Sequence, residues 1–195
     1  ALYRNTSQSY LVAVGDSALY NNGSGASLTH HSRGNTAIGS KALYNNTTGY
    51  ANVAVGIMAL YSNTYQGNGV AIGDSALFNN GTGAFRSFDA MANTAVGSKA
   101  MFTNTTGDHN TATGYRALYS NTTGYSNTAF GSNAMFANTY GHSNTATGEF
   151  ALYLNSSGMS NTATGNYALA SNTTASSNTA YGAGALYSNS TGSQN

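Results

Sequence analysis

The sequence predicts an all-β fold, a parallel β-solenoid of the β-roll type, and two observations carry that prediction. The first is an internal repeat, because a five-residue string with Ala third and Gly fifth recurs along the whole 195-residue chain. The second is the composition, with 24 Gly, no Pro and only 6% charged residues, against roughly 25% in an ordinary globular domain. Short repeats rich in turn-forming residues are typical of solenoids.

The chain is built from a 17-residue repeat. Successive repeat glycines follow one another at this interval, except at two places where the gap is 24. The consensus reads N-T-A-x-G-x-x-A-L-Y-x-N-T-T-G-x-x, and its positions are numbered 1 to 17 below. Dividing 195 by 17 predicts about eleven coils, two of which carry 7-residue insertions. The glycines at position 5 are Gly15, Gly39, Gly56, Gly73, Gly97, Gly114, Gly131, Gly148, Gly165 and Gly182.

The residue pattern within each 17-residue unit predicts two short strands. One unit is too short for a helix pair, which needs about 33 residues, and the runs free of turn residues are four or five residues long. N-T-A-x-G is predicted as the first strand and A-L-Y-x as the second, each paired with its equivalent in the next coil. Coils stacked in this way are about 4.8 Å apart. Residues 1–195 are therefore expected to form a single solenoid domain, without a capping repeat at either end.

An invariant Asn at position 12 has two interpretations. Stacked Asn side chains can hydrogen-bond along a rod and satisfy the backbone of a turn. Many of these residues also lie in N-x-S/T sequons, which are acceptors for N-linked glycans when they are exposed. Both interpretations, a structural Asn ladder and a row of glycosylation sites, apply to Asn22, Asn46, Asn80, Asn104, Asn121, Asn155, Asn172 and Asn189.

The two insertions are candidate binding loops. Extra residues in a solenoid leave the rod on one side, which is often the binding side. The alternative is a lateral bump that packs on the next coil or on a neighbouring chain. The residues singled out as binding candidates are His30, His31 and Arg33 in the first insertion, and Phe85, Arg86 and Phe88 in the second.

The apolar pattern predicts self-association. In the second strand, alternation places Ala and Tyr on one face and Leu on the other, so both faces are apolar. In the first strand, the residues beside Ala are mostly Val or Ile in the first half of the chain and mostly Thr in the second half. A thin roll has one interior, so a strand that is apolar on both faces needs a second covering layer. The expected layer is another copy of the chain, in a trimer or a filament; the alternative is a half-exposed aromatic stripe on a lone rod.

Several strings resemble a known family. Leu11-Val12-Ala13-Val14-Gly15 and Asn52-Val53-Ala54-Val55-Gly56 resemble the head repeats of YadA-type trimeric autotransporter adhesins. The longer unit, such as residues 127–141, resembles repeats of bacterial and phage tail-fibre-like proteins. The resemblance implies a left-handed parallel β-roll, three chains side by side, and display on a cell or virion surface. The family's head unit is shorter than the 17-residue unit of this chain.

The composition and the spacing of charged residues argue against several other classes of protein. The chain has no Cys, its net charge of +1 offers no basic field for nucleic acid, and no apolar run is long enough for membrane insertion. Asp16 and Asp74 share a repeat position but lie three coils apart, too far for an acid–base pair. No catalytic, cofactor-binding or metal-binding residue is predicted, and no cofactor.

The expected function is that of a structural surface-fibre or adhesin-type protein, which self-associates into an extracellular rod on a cell surface or virion. Surface glycans are a second expected class of partner. The alternative function is a carbohydrate-binding or ice-binding solenoid module. Such a module would use the Tyr row for sugars, or Thr-Ala-Thr strands such as Thr111-Ala112-Thr113 for ordered water.

Overall fold

The structure is a computed structural model that describes residues 1–5, 8–26 and 31–195, and it is a β-solenoid. Within these described ranges, ten strands of three residues form one parallel sheet, in which the spatial order of the strands follows the chain. The predicted fold class, with 17-residue coils, is confirmed. The strands are β1 (Val12–Val14), β2 (Thr36–Ile38), β3 (Val53–Val55), β4 (Val70–Ile72), β5 (Thr94–Val96), β6 (Thr111–Thr113), β7 (Thr128–Phe130), β8 (Thr145–Thr147), β9 (Thr162–Thr164) and β10 (Thr179–Tyr181).

The number of turns is slightly smaller than expected. Ten strands joined by nine parallel pairings make about nine turns rather than eleven coils. In the part of the chain that the structure describes, the two insertions add no strand, and the residues before β1 contribute only part of a coil. In that part, the Leu2 backbone N–H donates to the Ala18 carbonyl (2.9 Å).

The strand registers place one Ala row inside the rod. Each central Ala pairs with the Ala of the next strand, as Ala95 does with Ala112, and from β2 onward these residues are buried. The Gly at position 5 then turns the chain with a positive φ, which is 141° at Gly131. A Cβ atom on Gly131 would lie 2.5 Å from the Gly148 carbonyl oxygen, so no other residue fits between the stacked coils.

The predicted second strand is not a strand. Positions 7 and 9 have left-handed backbone conformations, with φ of 53° at Arg116 and 51° at Leu118. These two residues curl the chain around Ala117, so that Ala117 and Leu118 are both fully buried and Tyr119 is half-buried. The expectation that Leu would lie opposite Ala and Tyr is therefore wrong, because strand alternation does not apply to a curled segment.

The curled segment still pairs from coil to coil. The Leu118 N–H donates to the Ala134 carbonyl (2.9 Å), and the Ser120 N–H donates to the Phe136 carbonyl (3.0 Å). A left-handed conformation costs a non-glycine residue about 1–2 kcal/mol, whereas burying a Leu side chain contributes about 1.5–3 kcal/mol. Burial of the Leu row therefore offsets its backbone strain.

Both insertions leave the rod at the same corner. In the first, the Gly23 N–H donates to the Thr47 carbonyl and the Ser32 N–H donates to the Thr48 carbonyl. The chain thus leaves the coil after Gly23 and rejoins it at Ser32, opposite two consecutive residues of the next coil. The stacking of the coils therefore continues directly from one side of the insertion to the other.

The second insertion repeats this geometry. The Gly81 N–H donates to the Thr105 carbonyl (2.9 Å) and the Ala90 N–H donates to the Thr106 carbonyl (3.0 Å). Residues 82–89 lie between these two bonds and form a loop outside the coil. Beneath the loop the buried Gln66 side chain fills the place that a Cβ atom on Gly81 would need. In the first insertion the Gln8 side chain lies beside Gly23 in the same way.

Candidate functional site

The Asn residues at position 12 form a ladder inside the rod. Asn121 Nδ2 donates to Asn104 Oδ1 (2.8 Å) and to the Gly124 carbonyl (2.9 Å), and Asn121 Oδ1 accepts from Asn138 Nδ2 (2.8 Å). Equivalent contacts recur from Asn22 to Asn172. Each side chain thus links two coils and holds the turn carbonyl of its own coil, which gives a polar core beside the Ala and Leu rows.

The sequon interpretation does not fit this burial. Of the eight ladder candidates, Asn189 is partly exposed, and its Nδ2 donates to the Gly192 carbonyl (2.8 Å). An N-linked glycan needs a free, exposed Nδ2 atom, so the buried members cannot carry sugar in the folded chain. The seven that are at most 1% exposed are Asn22, Asn46, Asn80, Asn104, Asn121, Asn155 and Asn172.

A second Asn row, at position 1, was not predicted. Asn110 Nδ2 donates to the Gly124 carbonyl (2.8 Å), which therefore accepts from both Asn rows of its coil. Asn110 Oδ1 accepts from the Asn127 backbone N–H (2.9 Å) in the next coil. The consensus contains this Asn, but Gly69 interrupts the row. The row was not predicted because an Asn just before a strand is also a common turn residue.

The ladder predicts a pH-dependent effect of Asn121→Asp. The carboxylate removes the donor that faces Asn104 Oδ1 and the Gly124 carbonyl. Burial raises the pKa of the introduced carboxyl, so the variant loses stability as pH rises above about 3.9 and loses most at neutral pH. We expect a free energy of unfolding about 3 kcal/mol lower than in the native chain at pH 7, and a smaller loss at pH 4.

Urea unfolding at the two pH values measures this effect. Asn189→Asp is the matched control, because Asn189 belongs to the same row but is partly exposed. Equal losses for the two variants, or no pH dependence for Asn121→Asp, would contradict a buried ladder.

The outer face of the sheet is apolar in its first half. Positions 2 and 4 point outward from every strand, and Val14 is 56% and Ile72 41% exposed. We call the Val and Ile residues of this half the apolar face, and the Thr residues of the other half the Thr face. The apolar face comprises Val12, Val14, Ile38, Val53, Val55, Val70, Ile72 and Val96.

The Thr face is not a flat array. β6, β8 and β9 each present Thr at both outward positions, as an ice-binding face requires. However, Phe130 lies between them on β7 and is 59% exposed, and Tyr181 on β10 is 86% exposed. These rings protrude from the face and interrupt a regular hydroxyl lattice.

The aromatic row at position 10 is a continuous stack. Neighbouring ring centroids are 4.8 to 5.4 Å apart and the rings are tilted by 6° to 23°. Each inner ring therefore has both faces covered by its neighbours, and only its edge is free. A sugar that stacks on an aromatic ring needs an open face, so this row is unsuited to the carbohydrate role considered for it. Its members are Tyr3, Tyr20, Tyr44, Tyr61, Phe78, Phe102, Tyr119, Phe136 and Tyr153.

A first cleft lies between the two insertions and has a volume of about 280 Å³. His31 and Met91 belong to its two sides, and Tyr50 and Tyr65 to the coils between them. Burial, together with the negative charge of Asp89, raises the pKa of the Tyr65 hydroxyl. This shift favours the neutral phenol, which is already the form of an ordinary tyrosine at physiological pH.

A second cleft lies on the other side of the second insertion and has a volume of about 400 Å³. Its wall is made by the insertion, and its floor by two adjacent coils. We call it the second-insertion cleft. The wall residues are Arg86, Phe88 and Asp89, and the floor residues are Thr106, Asp108, Thr123 and Tyr125.

The loop residues that the sequence suggested as binding candidates lie at different places on the rod. His31 lines the first cleft, and Arg86 and Phe88 line the second. The Arg33 guanidinium lies 5.8 Å from the Tyr10 ring centroid, and Phe85 is 94% exposed. His30 lies outside the described residues.

The cleft floor was missed by sequence reasoning. Asp108 and Tyr125 occupy position 16 of successive units, and Thr106 and Thr123 occupy position 14. Their 17-residue spacing places each pair side by side on one surface. That spacing is the signal that could have identified them, because any two residues one period apart are neighbours in a solenoid.

The described residues contain no metal-binding group of three or more His, Asp or Glu side chains. In the part of the chain that the structure describes, no helix has the length and apolar character needed to cross a bilayer. No protein-family model, curated protein or solved structure matches the chain.

Proposed function

We propose that the chain is a structural rod of a surface-fibre or adhesin-type assembly, in which copies associate side by side through the apolar face. The observation that carries this proposal is the apolar face on β1 to β5, of which Val12, Val14, Ile38 and Ile72 are exposed and Val53, Val55, Val70 and Val96 are half-buried. Contiguous exposed apolar surface of this kind marks interaction sites in proteins. A second copy that covers this face would remove it from water.

The uniform construction of the rod supports a mechanical role. Coil-to-coil hydrogen bonds run through the strands, the curled segments and both Asn rows, so the polar core extends along most of the chain. Such an array has a fixed length per repeat and suits spacing and presentation. Three copies around a shared apolar face, displayed outside a cell or on a virion, are the arrangement that the resemblance to trimeric adhesin heads implies.

Sedimentation tests the association. The native chain is expected to sediment at micromolar concentration as a species larger than its 19.9 kDa monomer. Ile72→Lys is expected to shift it toward the monomer, because a charge at a covered apolar position costs several kcal/mol. Thr147→Lys occupies the same repeat position on the Thr face and is expected to leave the assembly unchanged.

A native chain that remains a single species of monomer mass would refute side-by-side association. An assembly that both Lys variants weaken equally would instead place the contact outside the apolar face.

A further inference from the structure

The second-insertion cleft concentrates charge in a chain that has little. The whole sequence has 6 Lys and Arg and 5 Asp and Glu, yet Arg86, Asp89 and Asp108 line this one cavity. Asp89 Oδ2 accepts from the Phe85 and Arg86 backbone N–H groups, at 3.0 and 2.9 Å. Asp108 Oδ2 contacts His109 Nδ1 at 2.6 Å. Among the described residues neither Oδ1 atom has a hydrogen-bond partner, so each carboxylate keeps one oxygen available.

The floor adds neutral hydroxyl groups. The side chains of Thr105 and Thr122 donate to carbonyls of the next coil, at 2.9 and 3.0 Å. Within the described residues the hydroxyls of their neighbours Thr106 and Thr123, which line the cleft, form no hydrogen bond. The threonines at position 13 are thus used by the fold, whereas those at position 14 have hydroxyls that a ligand can reach.

Tyr125 supplies an aromatic platform. Its ring stacks on His142 in the next coil, with centroids 4.5 Å apart and planes 8° apart. Asp108 occupies the same repeat position in the preceding coil, so it lies on the side of Tyr125 that faces away from His142. Asp108 and Tyr125 both line the cleft, and the ring face of Tyr125 opposite His142 therefore borders it. The inner rings of the position-10 stack have both faces covered, whereas among the described residues Tyr125 stacks on one ring alone and is 44% exposed.

We propose that the second-insertion cleft binds a neutral saccharide of one or two hexose units. Arg86 provides donors, Asp89 and Asp108 provide acceptors, and the two Thr hydroxyls provide both, which matches the adjacent hydroxyls of a sugar. The C–H face of the sugar would pack on Tyr125. A volume of about 400 Å³ is in the range of small-molecule sites.

The charge of the cleft argues against other ligands. One Arg and two Asp side chains give a formal charge of +1 − 2 = −1, which disfavours anionic sugars and phosphates. Two carboxylates fall short of the oxygen ligand set that a calcium ion takes. The proposal goes beyond the structural role above and does not depend on it, because the apolar face and this cleft are different surfaces of the rod.

Saturation-transfer NMR with the native chain tests the proposal. The probes are glucose, galactose, mannose, N-acetylglucosamine and their disaccharides, with glucuronic acid as the anionic comparison. A millimolar dissociation constant is the scale expected for a ligand of about a dozen non-hydrogen atoms. We expect at least one neutral probe to bind, and to bind more tightly than glucuronic acid.

Variants locate the binding site. Tyr125→Ala and Asp108→Asn are each expected to weaken binding by about tenfold, which is the factor that about 1.4 kcal/mol represents. Tyr140→Ala is the matched control, because Tyr140 is 64% exposed on a nearby coil and does not line the cleft. Circular dichroism checks that all three variants keep the fold.

Three results would overturn the proposal: no neutral probe that binds, preference for glucuronic acid, or equal binding by Tyr125→Ala, Asp108→Asn and Tyr140→Ala. Loss of self-association in any variant would not affect the conclusion, because sugar binding is measured separately from sedimentation.

Discussion

Leu118→Asp is expected to lower the melting temperature of the rod by about 10–20 °C. Leu118 is fully buried, and the residues at the same repeat position in the two neighbouring coils are Met101 and Met135, which are also fully buried. The substitution forfeits about 1.5–3 kcal/mol of apolar burial and places an unpaired charge in an apolar interior, which costs several kcal/mol more. For a chain of this size each kcal/mol corresponds to about 2–4 °C. Thermal melting followed by circular dichroism measures the change.

Tyr115→Asp is the control for this variant. Tyr115 is close to Leu118 in the chain, but it is 47% exposed, and its position varies between units. Its contact with the Arg116 guanidinium, 5.0 Å from the ring centroid, is a surface contact of small effect. Comparable melting temperatures for the Leu118 and Tyr115 variants would mean that the Leu row is not the core.

Gly131→Ala is the second substitution with a large expected effect. The new Cβ atom would meet the Gly148 carbonyl oxygen and carbon at 2.5 and 2.6 Å, and neither atom belongs to a flexible side chain. The two coils must separate, at a cost of roughly 1–3 kcal/mol for overpacking and about 1–3 kcal/mol for the strained φ of 141°. We expect the free energy of unfolding, measured in urea, to fall by about 4 kcal/mol.

Gly182→Ala separates the cost of the steric clash between coils from the cost of the strained backbone φ. Gly182 occupies the same repeat position with a φ of 119°, but no atom lies within 4 Å of the Cβ atom that would be added. This variant should therefore show the backbone strain alone. If both Gly variants lost the same stability, the close approach between coils would not be the reason for glycine at position 5.

The period and the first strand could be predicted because the repeat is explicit. Every coil occupies the same environment, so the spacing of identical residues gave the coil length, and the Val-Ala-Val and Thr-Ala-Thr strings gave the strands. The curled segment could not be predicted. Its shape depends on left-handed Leu and Met residues, which local propensity disfavours and which only burial between coils stabilises.

The clefts were predicted in part. The insertions were visible as breaks in the period, and their Arg86 and Phe88 side chains do line a cavity. Asp89 was not predicted as a cleft residue, because an isolated carboxylate in a loop belongs to no recognisable sequence motif. The position-16 pair, Asp108 and Tyr125, was missed because that position differs in almost every coil, so only the three-dimensional stacking shows which two residues meet.

The central claim is that another copy of the chain covers the apolar face, and the absence of native Cys allows a direct measurement. Single thiols introduced as Ile72→Cys and Thr147→Cys occupy equivalent positions on the apolar face and the Thr face, and both native side chains are exposed in the single chain. The rate of thiol modification is measured on the native assembly at micromolar concentration. We predict that the Thr147→Cys thiol reacts at least about tenfold faster, the ratio that about 1.4 kcal/mol of protection represents. Equal rates at the two positions would contradict the claim.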